Sequence, residues 1–242
     1  MIPVLSAEQA RRVDAHTIEH MPIASVDLME RAARACTDWL LGHVPPAQRA
    51  FLVLVGCGNN GGDGMAIARM LAATGARVRV VLCHYRDTLS EDARINLDRL
   101  RATSVQVVDA EDGSVLDDPP QHEVVIDALL GTGLDRPVSG WLKQVVMRVN
   151  QWPNGTIAID LPSGLFAGDN ATNDPQAVVW ADHVLTFEVP KPALLLPENG
   201  PFVGQWHVLP IGLDRAFIHD LGVTDLLVER QDARELMPDR PR

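Results

Sequence analysis

The sequence predicts an α/β fold built on a mostly parallel, doubly wound sheet, preceded by two N-terminal helices. Three observations lead there. Short all-apolar runs recur along the chain, as in strands buried on both faces. Segments of helical periodicity lie between them, the alternation that makes βαβ units. Three of the apolar runs end abruptly in Gly, Asn, Asp or Ser, at the strand ends where such sheets place ligands.

Taken in order, Ser6-Ala7-Glu8-Gln9 has the form of a capping box, and Ala10, Val13 and Ile18 give a helix to about Glu19. Leu28, Met29, Ala32, Ala33, Cys36 and Leu40 predict a second helix from Ser25 to Leu41, ended by Gly42 and Pro45-Pro46. Phe51 to Val55 reads as the first buried strand, and Met65 to Leu71 as part of the helix after it. Arg77 to Leu82 is the next strand, followed by a helix from Ser90 to Leu100 with Ser90 as its cap. Further strands are expected at Val105 to Val108, Val124 to Ile126, Thr156 to Ile159 and His183 to Phe187, with a helix at Gly140 to Val149.

The totals exclude several function classes. A chain of 242 residues with 46% apolar and 22% charged residues holds one large folded domain. The net charge of −11 argues against general nucleic-acid binding, and phosphate on a ligand must be met by local features. Cys36, Cys57 and Cys83 show neither disulfide nor zinc spacing, which places the chain in a reducing compartment, the cytoplasm by default. No signal peptide or membrane-spanning run is visible.

The chemistry concentrates in the strand-end loops. Gly56 to Gly61 fits G-x-G-x-x-G between a strand and a helix. Yet the second strand ends in Cys83-His84, with no carboxylate for an adenosine ribose, and Asp63 would repel a pyrophosphate at the helix N-terminus. A conventional hydride-transfer enzyme is disfavoured on both counts. Asn59, Asn60, Gly61, Gly62 and Asp63 instead offer side-chain oxygens and close backbone approach, with Asp63 as a candidate helix cap, although Asn and Gly also make ordinary turns. Asp127 follows Val124 to Ile126, and the loop Gly131, Thr132, Gly133, Leu134, Asp135, Arg136 and Pro137 offers amides, a hydroxyl and a positive charge that could hold phosphate, although it also serves as a plain connection to the helix near Gly140. Asp160 follows Ala158-Ile159 at a strand end, a placement that suits acid–base work or a turn. Asn60, Asp127 and Ser163 offer oxygens from three strand ends; one carboxylate among three donors suits a monovalent cation.

These three loops, in this order, resemble the YjeF N-terminal domain family, whose enzymes are NAD(P)H-hydrate epimerases. The likeness extends to Leu28-Met29-Glu30-Arg31-Ala32, to Thr186-Phe187 through Pro190-Lys191-Pro192, and to Ile211-Gly212-Leu213-Asp214. Cys57, where proline is common, and Ala33, where glycine is usual, depart from the pattern. The resemblance implies a three-layer Rossmann-like fold, often homodimeric. It implies an isomerase of nicotinamide nucleotide repair, with NADHX and NADPHX as substrates rather than redox cofactors. Carried over, Asn59 to Asp63, Gly131 to Pro137 and Asp160 bind substrate, Asp160 is catalytic, and Asn60, Asp127 and Ser163 bind one potassium ion per subunit. It divides the chain into an epimerase domain, residues 1–214, and a C-terminal extension, residues 215–242, like the linker to a dehydratase domain in multifunctional relatives. The alternative is a non-enzymatic nucleotide-binding or protein-interaction module of the same fold. Expected partners are the small-molecule substrate, a second copy and a fused dehydratase domain, with neither nucleic acid nor membrane.

Overall fold

The computed structural model of the chain describes residues 1–112 and 116–236. Residues 237–242 of the expected C-terminal extension lie outside the described residues. A two-residue strand β1 (Ile2–Pro3) leads into helices α1 (Ala7–His20) and α2 (Ser25–His43). The capping box is formed as expected: the Ser6 hydroxyl accepts the Gln9 N–H, and the Gln9 side chain accepts that of Ser6. The second helix continues through Gly42 to His43, two residues beyond the end expected from sequence.

Strand β2 (Ala50–Val55) is followed by α3 (Asn59–Ala73), β3 (Arg77–Cys83), α4 (Glu91–Arg101) and β4 (Gln106–Ala110). Strands β5 (Val124–Ala128), β6 (Thr156–Ile159), β7 (His183–Phe187) and β8 (Gln205–Leu209) follow, with α5 (Gly140–Val149) between β5 and β6 and a short α6 (Gly200–Val203) before β8. The seven-stranded sheet has the order β4-β3-β2-β5-β6-β7-β8 and is parallel at every pairing. The chain winds outward from β2 in one direction and from β5 in the other, so the switch point lies between these two strands.

Alternation along β2 shows why the fold has three layers. Phe51, Val53 and Val55 pack into a core with Ala33, Cys36 and Leu40 of α2, Met65 and Ile67 of α3, and Leu97 and Leu100 of α4. Leu52 and Leu54 point the other way, into a core with Leu142, Val145 and Val146 of α5. Every residue of β2 is buried, so the strand must be apolar on both faces. Burying each such side chain contributes about 1.5–3 kcal/mol.

Residues beyond Leu213 return to the start of the chain. Helix α7 (Arg215–Asp220) buries Ile218 in a cluster with Val13 of α1 and Leu28 of α2, and Phe217 stacks on His16 at 3.8 Å. Strand β9 (Leu226–Leu227) pairs antiparallel with β1, and α8 (Arg230–Leu236) ends the described chain.

Candidate active site

A cleft of about 970 Å³ opens at the carboxyl ends of β2, β5 and β6, beside the switch point. Its floor is made by close backbone packing. The N–H of Gly56 donates to Ala128 O at 3.1 Å, and a Cβ at Gly56 would lie 2.0 Å from Leu129 O. A Cβ at Gly61 would come within 1.9 Å of Gly56 O. Helix α3 therefore starts earlier than expected, at Asn59, with Gly58 as its cap residue and no side-chain cap. That corrects the expected capping role of Asp63, which sits one turn inside the helix.

Of the expected substrate-binding residues, Asn59, Asn60, Asp63, Asp160 and all of Gly131 to Pro137 line the cleft. Gly61 and Gly62 are buried behind it, Gly61 against the Gly56 backbone and Gly62 against Met29 and Ala93. Their contribution is to let α3 approach the sheet.

Asp160 follows β6 with φ 65°, in the left-handed region that side chains other than Asn, Asp and Gly rarely adopt. Its Oδ1 accepts from Lys191 Nζ at 2.7 Å and from the Thr186 hydroxyl at 3.4 Å, while Oδ2 accepts the Thr132 N–H at 3.3 Å. Lys191 is only 2% exposed, and its ammonium also donates to Thr186 Oγ1 at 2.8 Å and Phe187 O at 2.7 Å. Three donors meet three acceptors, and the carboxylate supplies the countercharge a buried ammonium requires.

Sequence reasoning had used Lys191 only as part of a flanking motif. The available signal was its rarity: it is one of two lysines in the chain, and it follows a strand end between two prolines. Asp14 on α1 was not singled out at all, yet with Ala10 and Ile18 it forms a helical i, i+4, i+8 face lining the cleft.

Asp14 and Asp63 are half-buried, and among the described residues neither carboxyl accepts a hydrogen bond or joins a salt bridge. Burial pushes Asp14 up to about 6, with Lys191 acting downward and Asp160 upward. Burial likewise holds Asp63 well above the usual carboxylate range, reinforced by the charges of Asp160, Asp14 and Asp92. The cleft thus holds one carboxylate in an ion pair beside two whose surroundings favour the neutral acid.

Asn60, Asp127 and Ser163 come together behind Leu130. Asn60 Nδ2 donates to Leu130 O at 2.8 Å, leaving its Oδ1 buried without a partner. Asp127 is fully buried; it accepts the Ser163 hydroxyl at 2.6 Å, the Ser163 N–H at 2.7 Å and the Leu129 N–H at 3.3 Å. Burial raises it to about 6, against the downward pull of those three hydrogen bonds. The Leu130 N–H in turn donates to Ser163 Oγ at 2.8 Å.

Apolar walls complete the cleft, with Met29, Leu129, Phe187, Val189, Ile211 and Leu213 among them. Glu188 fixes the last two by accepting the N–H groups of Ile211, Gly212 and Leu213 at 2.8–3.0 Å. At the far rim Arg86 lies over the Tyr85 ring, 5.3 Å from its centroid, and Arg136 is exposed.

Fold and site together define a doubly wound α/β domain with an acid-lined cleft at its switch point. Residues 25–193 match the family described as YjeF-related protein N-terminus, and the chain belongs to that family. It is 37% identical over 231 residues to a bifunctional NAD(P)H-hydrate repair enzyme of Salinibacter ruber, covering 88% of this chain and 42% of that one. It is 35% identical over 209 residues to an NAD(P)H-hydrate epimerase of Oenococcus oeni, covering 86% of this chain and 96% of that one. A crystal structure of the yeast protein YNL200c superposes with a TM-score of 0.77 at 21% identity, over 95% of this chain and 97% of that one, and shows the same fold. Among the described residues no helix is long and apolar enough to cross a membrane.

Proposed function

We propose that this chain is an NAD(P)H-hydrate epimerase domain, an isomerase that interconverts the R and S epimers of NADHX and NADPHX in nicotinamide nucleotide repair. One observation supports this reading above the others. The Asp160–Lys191 ion pair stands in the cleft of a chain that covers nearly the full length of a relative bearing that activity's name. Epimerisation at a hydrated ring carbon needs proton transfer at oxygen and a site that shields the ring from bulk water. Asp160 provides the carboxylate, the apolar walls screen the ring from bulk solvent on one side, and Thr132 N–H and Lys191 hold the carboxylate still. Against a net charge of −11, Arg86, Arg136 and the amides of the Gly131 loop are the groups available to the phosphates.

The Asn60, Asp127 and Ser163 cluster fits one potassium ion per subunit. Among the described residues Asn60 Oδ1 has no partner and no buried cationic side chain hydrogen-bonds to Asp127, so the two are hard oxygen donors carrying one negative charge. When bound, the ion would supply positive charge beneath the Leu130 loop that borders the substrate.

The reading extends to a homodimer in a reducing compartment, the cytoplasm, which suits three free buried cysteines. In a bifunctional chain like that of Salinibacter ruber, this region would work beside a dehydratase domain. The direct test follows purified (R)- and (S)-NADHX by chromatography, with and without the protein, in potassium and in potassium-free buffer. Accelerated interconversion is expected, faster with potassium. Folded protein that accelerates neither direction overturns the reading.

A further inference from the structure

Asp14 is a cleft carboxyl on a different element from Asp160, and among the described residues no hydrogen bond explains its partial burial. We propose that Asp14 is a second catalytic residue, the acid that protonates the departing hydroxyl while Asp160 receives the proton of the incoming water. The inference rests on the epimerase reading and names the proton donor within that same cleft.

The chemistry requires two proton positions. In the hydrate, C6 carries the hydroxyl and is bonded to the ring nitrogen. Breaking the C6–O bond sends its electron pair to oxygen, and the nitrogen lone pair forms the C=N⁺ bond. Oxygen leaves readily only as water, so it must gain a proton as the bond breaks. A water molecule then adds to the opposite face of C6, the C=N⁺ electrons return to nitrogen, and the added water loses one proton. One water leaves and one enters; one proton passes from the acid to the substrate and one from water to the base. Exchange through cleft water resets both groups.

The structure separates the two roles. Asp160 is bound at Oδ1 by the Lys191 ammonium and at Oδ2 by the Thr132 N–H, the surroundings of a proton acceptor. Asp14 has neither contact. It sits on the cleft face of α1 between Ala10 and Ile18, next to apolar surface that disfavours its charge. The charged groups acting on it are Lys191 and Asp160; Asp63 of α3 and Arg11 of its own helix also line the cleft. Asp63 is the other neutral-favouring acid, but burial, reinforced by the charges of Asp160, Asp14 and Asp92, holds it well above the usual carboxylate range, which favours keeping its proton over giving it up. Asp14, brought by burial to about 6, can both hold and release a proton in that range.

The test compares wild type, Asp14→Asn and Asp14→Glu for epimerisation between about pH 5 and 8, with substrate affinity measured separately by fluorescence titration. The Asn variant should lose about 100-fold or more in kcat with KM and Kd changed by less than about threefold. Wild-type kcat should fall as pH rises through about 6, because the donor must be protonated; the Asn variant should lose that limb, and Glu should restore part of the rate. A wild type without activity overturns the epimerase reading and this inference with it. An active wild type whose Asn variant keeps its kcat and its pH limb overturns the inference alone. Should the Asn variant fail to fold, a wild-type profile that does not decline through this range overturns it equally.

Discussion

At the residue scale, the site rests on two carboxylates, half-buried Asp160 and fully buried Asp127, treated in opposite ways. Asp160 has a full countercharge in Lys191, while Asp127 has only hydrogen bonds from Ser163 and Leu129. Asp160→Asn keeps a residue that tolerates the left-handed backbone and an acceptor for Lys191, but removes the charge. It should lower kcat by about 10²–10⁴-fold with substrate affinity largely retained, and near-normal turnover would end the assignment. Stripping a buried ammonium of its partner costs about 3–5 kcal/mol. Thr186 and Phe187 still accept from Lys191, so the loss of stability, followed by thermal melting, should fall at the low end of that range. For Asp127 the sign is reversed. Its carboxyl is raised from 3.8 to about 6 in the fold, so stability is greatest below the unfolded value and falls as pH rises between the two. Above about pH 6 the buried charge costs on the order of 3 kcal/mol, which the proposed cation would offset. Potassium at constant ionic strength should therefore raise the melting temperature near neutral pH, and the increment should shrink as pH drops through about 6. An increment independent of pH would place the ion elsewhere. These strand-end acids were legible in sequence because an apolar run ending in Asp is a local signal. Lys191 and Asp14 were not, because each gains its meaning from partners 31 or more positions away.

At the element scale, the strands were legible wherever burial on both faces forces a continuous apolar run. Thr156 to Ile159 and His183 to Phe187 have the bounds read from sequence, and β2 differs by one residue. Strand β8 was missed: as the sheet's last strand it is half-exposed, and Gln205-Trp206-His207 lacks the apolar run that marks its neighbours. The start of α3 was misread for a different reason. Asn59, Asn60 and the glycines at 61, 62 and 64 have the composition of a turn, yet they form the first turns of a helix. Packing overrides propensity here: a Cβ at Gly64 would lie 2.6 Å from Ala128 Cβ and 2.8 Å from Val55 Cγ1, so only glycine lets the helix lie this close to β2 and β5. Gly61→Ala should cost about 1–3 kcal/mol or more, because the new methyl meets rigid backbone at Gly56. Gly133→Ala meets nothing within 4 Å and serves as the control in the facing loop. Equal melting temperatures for the two variants would show that α3 shifts freely, contrary to a floor held by backbone contact.

At the scale of the whole molecule, the cleft is closed by the meeting of the chain's two ends. Helix α1 brings Asp14, and it is held by α2 on one side and by α7 on the other, where Ile218 is buried against Val13 and Phe217 stacks on His16. Asp214 joins the two ends directly, accepting the N–H groups of Ala216 and Phe217 while its own N–H donates to Thr17 of α1. The segment after Asp214 therefore divides in two by function. Arg215 to Leu227 supports the cleft wall through α7 and β9, whereas α8 is largely exposed and tied by an ion pair between the Met1 ammonium and Asp232. Ending the chain after Leu227 should remove only that exposed pair and shift the melting temperature by no more than about 3 °C. Ending it after Asp214 exposes Ile218's partners and the β1 edge, a loss on the order of 3 kcal/mol or about 6–12 °C. The shorter chain should also lose kcat, since α1 carries the proposed acid, and α1 should become the first site cut by protease. If both truncations melt together and turn over equally, α7 is an appendage, and the proton donor must be held in place by α2 and the sheet alone.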